Sequence, residues 1–231
     1  MAPGTCDVAL LTATDDLVDP LHHFYVRHPS EGLVPRSRDD VARQIAARAT
    51  VVGWYGGEII AVASNFEPVF PYVEVGGTLI AEPFRGYGLQ KLFFAARFAS
   101  LLLNQGPNIV IVTSIKPWNR DSLGSALRVG FELWATPAVE LFGSCATCPK
   151  RREQSADQCC ATYYKIAPDR VRRAVGHLLA LTEHDPRIEL RHREHPDRSL
   201  GASLWLSALY GSKRAALKQM VADAAGPLHD Q

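Results

Sequence analysis

The chain has 231 residues, which is enough for one domain with a well-packed core and an appended segment, but few for two full domains. It carries 25 basic and 24 acidic side chains, so the overall charge gives no reason to expect binding to nucleic acid or to an anionic membrane. No stretch reaches the roughly 18 consecutive apolar residues of a membrane helix. Acidic residues precede any long apolar region, so residues 1–16 do not read as a signal peptide, and we expect a cytoplasmic protein with mostly reduced cysteines.

The first part of the chain predicts helices and then strands. Helices are expected over residues 16–27 and 38–49, the second with apolar side chains at four-residue spacing. A hairpin follows, because the strand-forming runs 51–55 and 58–63 flank a Gly-Gly turn. A third strand is expected over residues 72–80, where two consecutive glycines mark a candidate bulge.

From residue 85 onward, strands and helices alternate before a helical end. The predicted elements are a turn at 85–88, a helix at 89–103, a strand at 109–113, a helix at 122–129, strands at 133–142 and 162–166, and helices at 168–181 and 200–224. A polar, cysteine-rich insertion over 143–161 separates the last two strands. The order predicts one mixed α/β domain over residues 1–167 and a helical C-terminal extension over residues 168–231.

The segment 77–92, GTLIAEPFRGYGLQKL, leads from a strand through a glycine-containing turn into a helix. Such a turn directs backbone N–H groups and the positive end of a helix towards one point, which suits a pyrophosphate. Gly86 and Gly88 lack a Cβ and would let the chain approach the phosphates closely. The spacing matches neither a Walker A loop nor a dinucleotide-binding fingerprint, and a tight turn without a ligand is the alternative.

Two separate segments resemble the GNAT superfamily of N-acetyltransferases. Residues 85–90, RGYGLQ, resemble its Arg/Gln-x-x-Gly-x-Gly/Ala acetyl-CoA loop, with Gln90 in place of the final glycine or alanine. Residues 112–122, VTSIKPWNRDS, followed by RVGF, resemble the family's strand, Asn and Gly-Phe element. Asn119 and Gly130 are eleven residues apart, as in the family pattern. On these motifs the chain is identified as a member of the superfamily, the resemblance extending over residues 51–166.

The resemblance implies a mostly antiparallel sheet, flanked by helices, in which two parallel strands splay apart in a V. It implies acetyl-CoA as co-substrate and a primary amine of a small molecule or peptide as acceptor, with direct acyl transfer. Backbone groups near Leu79 and Ile80 would pair with the pantetheine. Asn119 would contact the cofactor, although it is equally placed to cap a helix. The loop that would hold the pyrophosphate comprises Arg85, Gly86, Tyr87, Gly88, Leu89 and Gln90.

Acetyl transfer requires an amine that has lost a proton, a polarised carbonyl and a thiolate that can leave. Glu74 is the first candidate for the base, because the family often places a carboxylate on the strand before the cofactor loop; a solvated strand residue is the alternative. Many members carry a tyrosine near the departing sulfur where this chain has Ala126. Ser122, Ser125, another tyrosine or a water would then protonate the thiolate, unless no acid is needed, since the ordinary pKa of a thiol is only about 8.5.

Four cysteines frame the polar insertion. Cys145 and Cys148 form a C-x2-C half-site, and Cys159 and Cys160 are adjacent. Four thiolates bind zinc tetrahedrally in structural sites, so a structural zinc is one prediction. Adjacent cysteines strain simultaneous ligation, and a redox pair or a disulfide that locks the loop is the alternative.

Other functions and contacts remain open on these residues. The basic run at 150–152 could contact phosphates in a nucleic-acid modification enzyme of GNAT fold, and the missing tyrosine would suit a non-catalytic acyl-CoA sensor. Apolar residues of the last predicted helix could cover the core or a homodimer interface. His184, His192 and His195 fall in a charged loop and are expected to be solvated.

Overall fold

The computed structural model describes residues 7–30, 33, 36–48, 50–65, 70–135 and 162–222. Its strands are β1 (Val8–Thr12), β2 (Thr50–Tyr55), β3 (Glu58–Asn65), β4 (Tyr72–Ile80), β5 (Val110–Ile115), β6 (Phe131–Leu133), β7 (Thr162–Ile166), β8 (Arg187–Arg191) and β9 (Ser199–Trp205). Its helices are α1 (Val18–Arg27), α2 (Arg38–Ala46), α3 (Leu89–Gln105), α4 (Arg120–Val129), α5 (Pro168–Leu181) and α6 (Gly211–Ala222). Within the described residues, every helix is too short or too polar to serve as a membrane span.

Across the described residues the strands form one nine-stranded sheet in the order β6-β7-β5-β4-β3-β2-β1-β9-β8. Neighbouring strands run antiparallel except for β4–β5 and β1–β9, which are parallel. The mostly antiparallel mixed sheet confirms the predicted α/β fold class. Helices lie on both sides of it, with α1 against β3 and α3 against β2, β3 and β4.

The parallel strands β4 and β5 pair only at their beginnings. Tyr72 lies opposite Val110, and the last paired position joins Glu74 to Val112. Beyond it, β4 continues against β3 as far as Ile80, while β5 continues against β7. A gap therefore opens between the two strands, which confirms the predicted V.

A bulge lies in β4 at the glycine pair. Val62 of β3 is opposite Leu79 and Ser64 is opposite Gly76, so β4 contains one extra residue in this interval. Gly77 has a φ of 59°, a backbone conformation that glycine adopts without a Cβ penalty. The predicted bulge is confirmed, and it bends β4 just where the V opens.

Helix boundaries follow from caps that the sequence contains. Ser37 and Asp40 form a capping box at the start of α2, each side chain accepting a hydrogen bond from the other's backbone N–H. Helix α3 ends before Gly106, whose φ is 82°.

The aromatic residues Phe94 and Phe98 of α3 pack on Phe131 at the start of β6, with ring centroids 5.4 and 6.2 Å from that ring. Much of the core lies between this helix and the sheet.

The C-terminal segment differs from its prediction. Helix α5 is confirmed over residues 168–181, but the predicted helix over 200–224 is wrong in its first part, because Ser199–Trp205 is strand β9 and α6 begins at Gly211. Ala202, Leu204 and Leu206 alternate with more exposed residues, a period of two that is typical of a strand. The extension therefore contains a β8–β9 hairpin as well as helices, and β9 extends the sheet beside β1, a strand that was not predicted.

Candidate functional site

The turn between β4 and α3 lies at the open end of the V. Gly86 has a φ of 85°, and Gly88, the residue before α3, has a φ of 80°. Gly88, the N-cap of α3, has no side chain with which to cap the helix. The first N–H groups of a helix have no partner within the helix, so this end of α3 can accept an anionic group.

Ile80 and Leu79 present their backbone groups to opposite sides of β4. The Ala81 N–H donates to the carbonyl of Ile60 at 2.8 Å, which makes the neighbouring pair Ala61–Ile80 of the non-hydrogen-bonded type. The polar backbone groups of Ile80 therefore face the V, and Arg85 Nε donates to its carbonyl at 2.9 Å. Leu79 forms the next pair with Val62 and faces β3.

The two loop glycines are required for different reasons. A Cβ at Gly86 would overlap the imidazole of His192, so a side chain of the C-terminal hairpin occupies the space beside this residue. A Cβ at Gly88 would meet no atom within 4 Å, and there the positive φ alone favours glycine. The expectation that Gly86 serves only the approach of a ligand is thus incomplete, because it also admits His192.

Asn119 and Ser122 lie at the start of α4, at the other arm of the V. Asn119 Oδ1 accepts a hydrogen bond from the Ser122 backbone N–H at 3.1 Å, so Asn119 is the N-cap. The predicted contact between Asn119 and a cofactor stays a prediction. The amide nitrogen of Asn119 would be the hydrogen-bond donor in that contact. Ala126, where many family members carry a tyrosine, is fully buried in the core, so the helix face is turned inward at this position.

Glu74 is buried where β4 and β5 part, with only 6% of the residue exposed. The interpretation of this side chain as a solvated strand residue is wrong. Ser114 of β5 donates its hydroxyl to Glu74 Oε1. Burial raises the pKa of Glu74, and the hydrogen bonds from Ser114 and the charge of Arg36 oppose that rise. A carboxyl group with a raised pKa is suited to accept a proton near neutral pH.

Further polar groups lie on the α1 side of the sheet near Glu74. Thr50 Oγ1 and Ser64 Oγ are 3.1 Å apart across β2 and β3. The Tyr25 hydroxyl of α1 is buried and meets no hydrogen-bonding geometry within the described residues. Burial raises its pKa, while nearby Ser64 and the charge of Arg36 act in the opposite direction. The layer between α1 and the sheet is therefore polar at the base of the V. A purely structural core would not need polar side chains at this place.

Arg97 was not predicted as part of the site, yet it fixes the bulge. This α3 side chain is fully buried, and its guanidinium donates to the carbonyls of Ser64 and Gly76 at 3.0 and 2.9 Å and to Thr78 Oγ1 at 3.3 Å. Burial lowers its pKa to about 9. The available signal was a single arginine within the otherwise apolar run 92–99. It binds β3 to β4 where the regular ladder is interrupted.

The loop between β8 and β9 also reaches the site. The Arg193 N–H donates to the Gly86 carbonyl at 3.0 Å, and the His192 ring packs edge-on against Tyr87 with centroids 4.9 Å apart. The expectation that the histidines of this segment are solvated is therefore wrong for His192. No sequence signal indicates the contact, because the two loops are far apart in the chain.

The predicted zinc ligands Cys145, Cys148, Cys159 and Cys160 lie outside the described residues. In the part of the chain that the structure describes, no group of three or more His, Cys, Asp or Glu side chains is arranged to hold a metal ion. Zinc binding by the insertion stays a prediction.

Comparison with known proteins gives no match by sequence: no protein-family model and no curated protein matches the chain. Solved structures do match. An acetyltransferase of the GNAT family from Streptococcus pneumoniae aligns with a TM-score of 0.51 and 10% identity, over 70% of this chain and 100% of the other. The chain has the GNAT acetyltransferase fold.

Two further solved structures match with similar TM-scores. Diaminobutyrate acetyltransferase EctA from Paenibacillus lautus, in complex with L-2,4-diaminobutyric acid and coenzyme A, aligns with a TM-score of 0.51 and 16% identity, over 71% of this chain and 96% of the other. Arabidopsis thaliana Naa50, in complex with the bisubstrate analogue CoA-Ac-MVNAL, aligns with a TM-score of 0.50 and 15% identity, over 69% of this chain and 97% of the other. In this GNAT fold, the RGYGLQ motif follows the end of β4, and the second motif begins within β5 at Val112 and continues into α4.

Proposed function

We propose that the protein is an acetyl-CoA-dependent N-acetyltransferase that transfers the acyl group directly to a primary amine of a small molecule or peptide. The observation that carries the proposal is the burial of Glu74, with its raised pKa, at the point where β4 and β5 separate. Support comes from the fold, since EctA and Naa50 are matched in complexes with coenzyme A or a CoA bisubstrate analogue.

The acyl-CoA would bind along the V. Its pyrophosphate would meet the N–H groups of the loop from Arg85 to Gln90 at the uncapped start of α3. The pantetheine would lie beside β4, where the backbone of Ile80 rather than Leu79 faces the gap. Asn119 would donate from its amide nitrogen, because its oxygen is already used to cap α4.

Glu74 would act as the general base. A primary amine is mostly an ammonium ion at neutral pH and must lose a proton before it can attack a carbonyl. The Glu74 carboxylate would take this proton directly or through a water, while Ser114 holds the carboxylate in place. The amine nitrogen then bonds to the thioester carbon, the C–S bond breaks, and CoA leaves as a thiolate. The nitrogen gives up its second proton, to solvent or to the thiolate, as the amide forms.

The thiolate leaves without the usual tyrosine. Ser122, held in the first turn of α4 by Asn119, could donate a hydrogen bond to it and pass on a proton from solvent. Tyr163 of β7 is a second candidate, because it lies opposite Ser114 in the antiparallel pair and so shares the sheet face with Ser114. A weak requirement for acid is expected here, since a thiol ionises at a pKa of about 8.5.

The test is a two-part assay on the purified full chain. Acetyl-CoA binding is measured by calorimetry, and release of free CoA thiol is then followed over a panel of diamines, amino acids and N-terminal peptides, with mass spectrometry of the acetylated product. We expect binding and thiol release that matches product formation. Binding with no release from any amine would favour the sensor, and absence of binding to any acyl-CoA would contradict the proposal.

The catalytic assignments are tested in the same assay. Ser122→Ala and Tyr163→Phe are compared for kcat with acetyl-CoA near saturation. A loss of kcat in one variant identifies the group that assists the thiolate, and no loss in either indicates that water is sufficient.

A further inference from the structure

The loop between β8 and β9, residues 192–198, lies against the cofactor loop, residues 85–88. The backbone N–H of Arg193 donates to the carbonyl of Gly86 at 3.0 Å. This bond joins two main-chain segments and does not depend on the Arg193 side chain, which is paired with Glu194 at 2.7 Å. The C-terminal hairpin is thus bonded directly to the turn that precedes α3.

His192 organises the 192–198 loop from within. Its Nδ1 accepts hydrogen bonds from the backbone N–H groups of Glu194 and His195, at 3.2 and 3.1 Å. The backbone N–H of His192 donates to the Arg198 carbonyl at 3.0 Å, which closes the loop. Because Nδ1 accepts, a neutral ring carries its proton on Nε2, the nitrogen beside Gly86.

The same ring supports the cofactor loop. It fills the space that a side chain at Gly86 would need, and it packs edge-on against Tyr87. Within the cofactor loop, Arg85 is anchored by its hydrogen bond to the Ile80 carbonyl, whereas Gly86 and Gly88 have positive φ and no side chain to hold them. A binding loop that is held in place beforehand loses less conformational entropy when its ligand binds.

We propose that His192 is a positioning residue for acyl-CoA: it holds residues 85–88 in the conformation that binds the phosphates, and so makes cofactor affinity depend on the C-terminal hairpin. This inference rests on the proposed function, in which the 85–90 loop binds the pyrophosphate. His192 acts through Gly86 and Tyr87 and takes no part in the chemical step.

The experiment compares His192→Ala with His192→Asn and with the control His184→Ala. Asparagine can still accept from the Glu194 and His195 N–H groups but lacks the ring, and His184 is an exposed histidine in the segment before β8. We expect His192→Ala to raise the Kd and KM for acetyl-CoA by about tenfold. The kcat and the KM for the amine should stay near wild type, His192→Asn should be intermediate, and His184→Ala should bind normally.

A second measurement does not require the cofactor. Amide hydrogen exchange over residues 85–92 of the free protein should accelerate in His192→Ala and stay unchanged in His184→Ala. Equal exchange and an unchanged acetyl-CoA Kd in His192→Ala would overturn the inference, even if the variant melted at a lower temperature. Faster exchange in a protein whose wild-type form binds no acyl-CoA would support the positioning of the loop and contradict the proposed function instead.

Discussion

Ser114 of β5 donates a hydrogen bond to the carboxylate of Glu74 on β4, just beyond the last position at which the two strands pair. The bond spans the base of the V and favours the ionised carboxylate, whereas burial favours the protonated one. Burial is the larger effect, so the pKa of Glu74 is raised. This balance makes the residue a base whose strength its neighbours control.

Replacing Glu74 with Gln should remove the base while keeping the volume of the side chain. We expect kcat to fall by about 100-fold or more, with little change in acetyl-CoA Kd. Steady-state kinetics at saturating acetyl-CoA measures the effect, and Glu132→Gln on the exposed part of β6 is the matched control. A kcat within twofold of wild type would exclude Glu74 as the base.

The pH dependence of activity should follow Glu74. Only its ionised form accepts a proton, so kcat/KM should rise with pH through a pKa above the ordinary value of 4.5. Ser114→Ala removes the hydroxyl hydrogen bond that lowers this pKa and keeps the backbone one, so the rise should move to higher pH. Profiles of kcat/KM against pH for the two proteins provide the comparison, and a shift to lower pH would contradict the geometry.

Stability should respond to pH with the corresponding sign. The pKa of Glu74 is higher in the folded than in the unfolded chain, so its favourable contribution is complete below the unfolded value and is lost as pH rises through the folded value. Glu74→Gln cannot ionise and should melt above wild type at neutral and alkaline pH. Thermal melts from pH 4 to pH 8 should show the difference closing as the solution is acidified.

The left-handed conformation of Gly88 should be needed for the cofactor loop and not for the chain as a whole. Gly88→Ala adds a Cβ in open space at a φ of 80°, which should cost about 1 kcal/mol of stability. Gly56→Ala in the β2–β3 turn is matched, with a φ of 58° and no atom within 4 Å. Both should destabilise similarly in urea, but only Gly88→Ala should weaken acetyl-CoA binding by calorimetry.

Replacing Arg97 should lower the free energy of unfolding more than replacing an exposed arginine. Arg97→Met leaves the carbonyls of Ser64 and Gly76 without their guanidinium donor in the core, and we expect a loss of about 3 kcal/mol. Arg173→Met on α5 is the control, since Arg173 belongs to an exposed ion pair with Asp169 whose contribution should be small. Urea denaturation compares the free energies of unfolding of the two variants. Equal losses would contradict the role of Arg97 in holding β3 to β4.

The helices and strands that position the site could be predicted where the hydrophobic pattern agrees with the residues that begin or end an element. Strand β4 was predicted over residues 72–80 and α5 over residues 168–181, as found. Strand β9 was missed because Ala202, Leu204 and Leu206 favour a helix by propensity while their alternation favours a strand, and tertiary pairing with β1 decides between them.

The site itself was predictable only where it is local in sequence. Glu74 and the loop at residues 85–90 lie on one continuous segment that the family resemblance covers. Arg97 acts across elements through the Gly76 carbonyl. His192 acts through its ring, which lies beside Gly86 and packs against Tyr87. Neither contact leaves a periodic pattern, because each depends on how the sheet and the C-terminal hairpin close on the rest of the chain.

The parallel pairing of β9 with β1 has a consequence for the order of folding. On the ribosome β1 emerges early, and its second neighbour is made only after nearly the whole sheet has been synthesised. Until then the outer side of β1 is an open edge of main-chain donors and acceptors, the kind of edge that pairs with foreign strands. A chain interrupted after α5 would retain this open edge, which β9 covers in the folded protein.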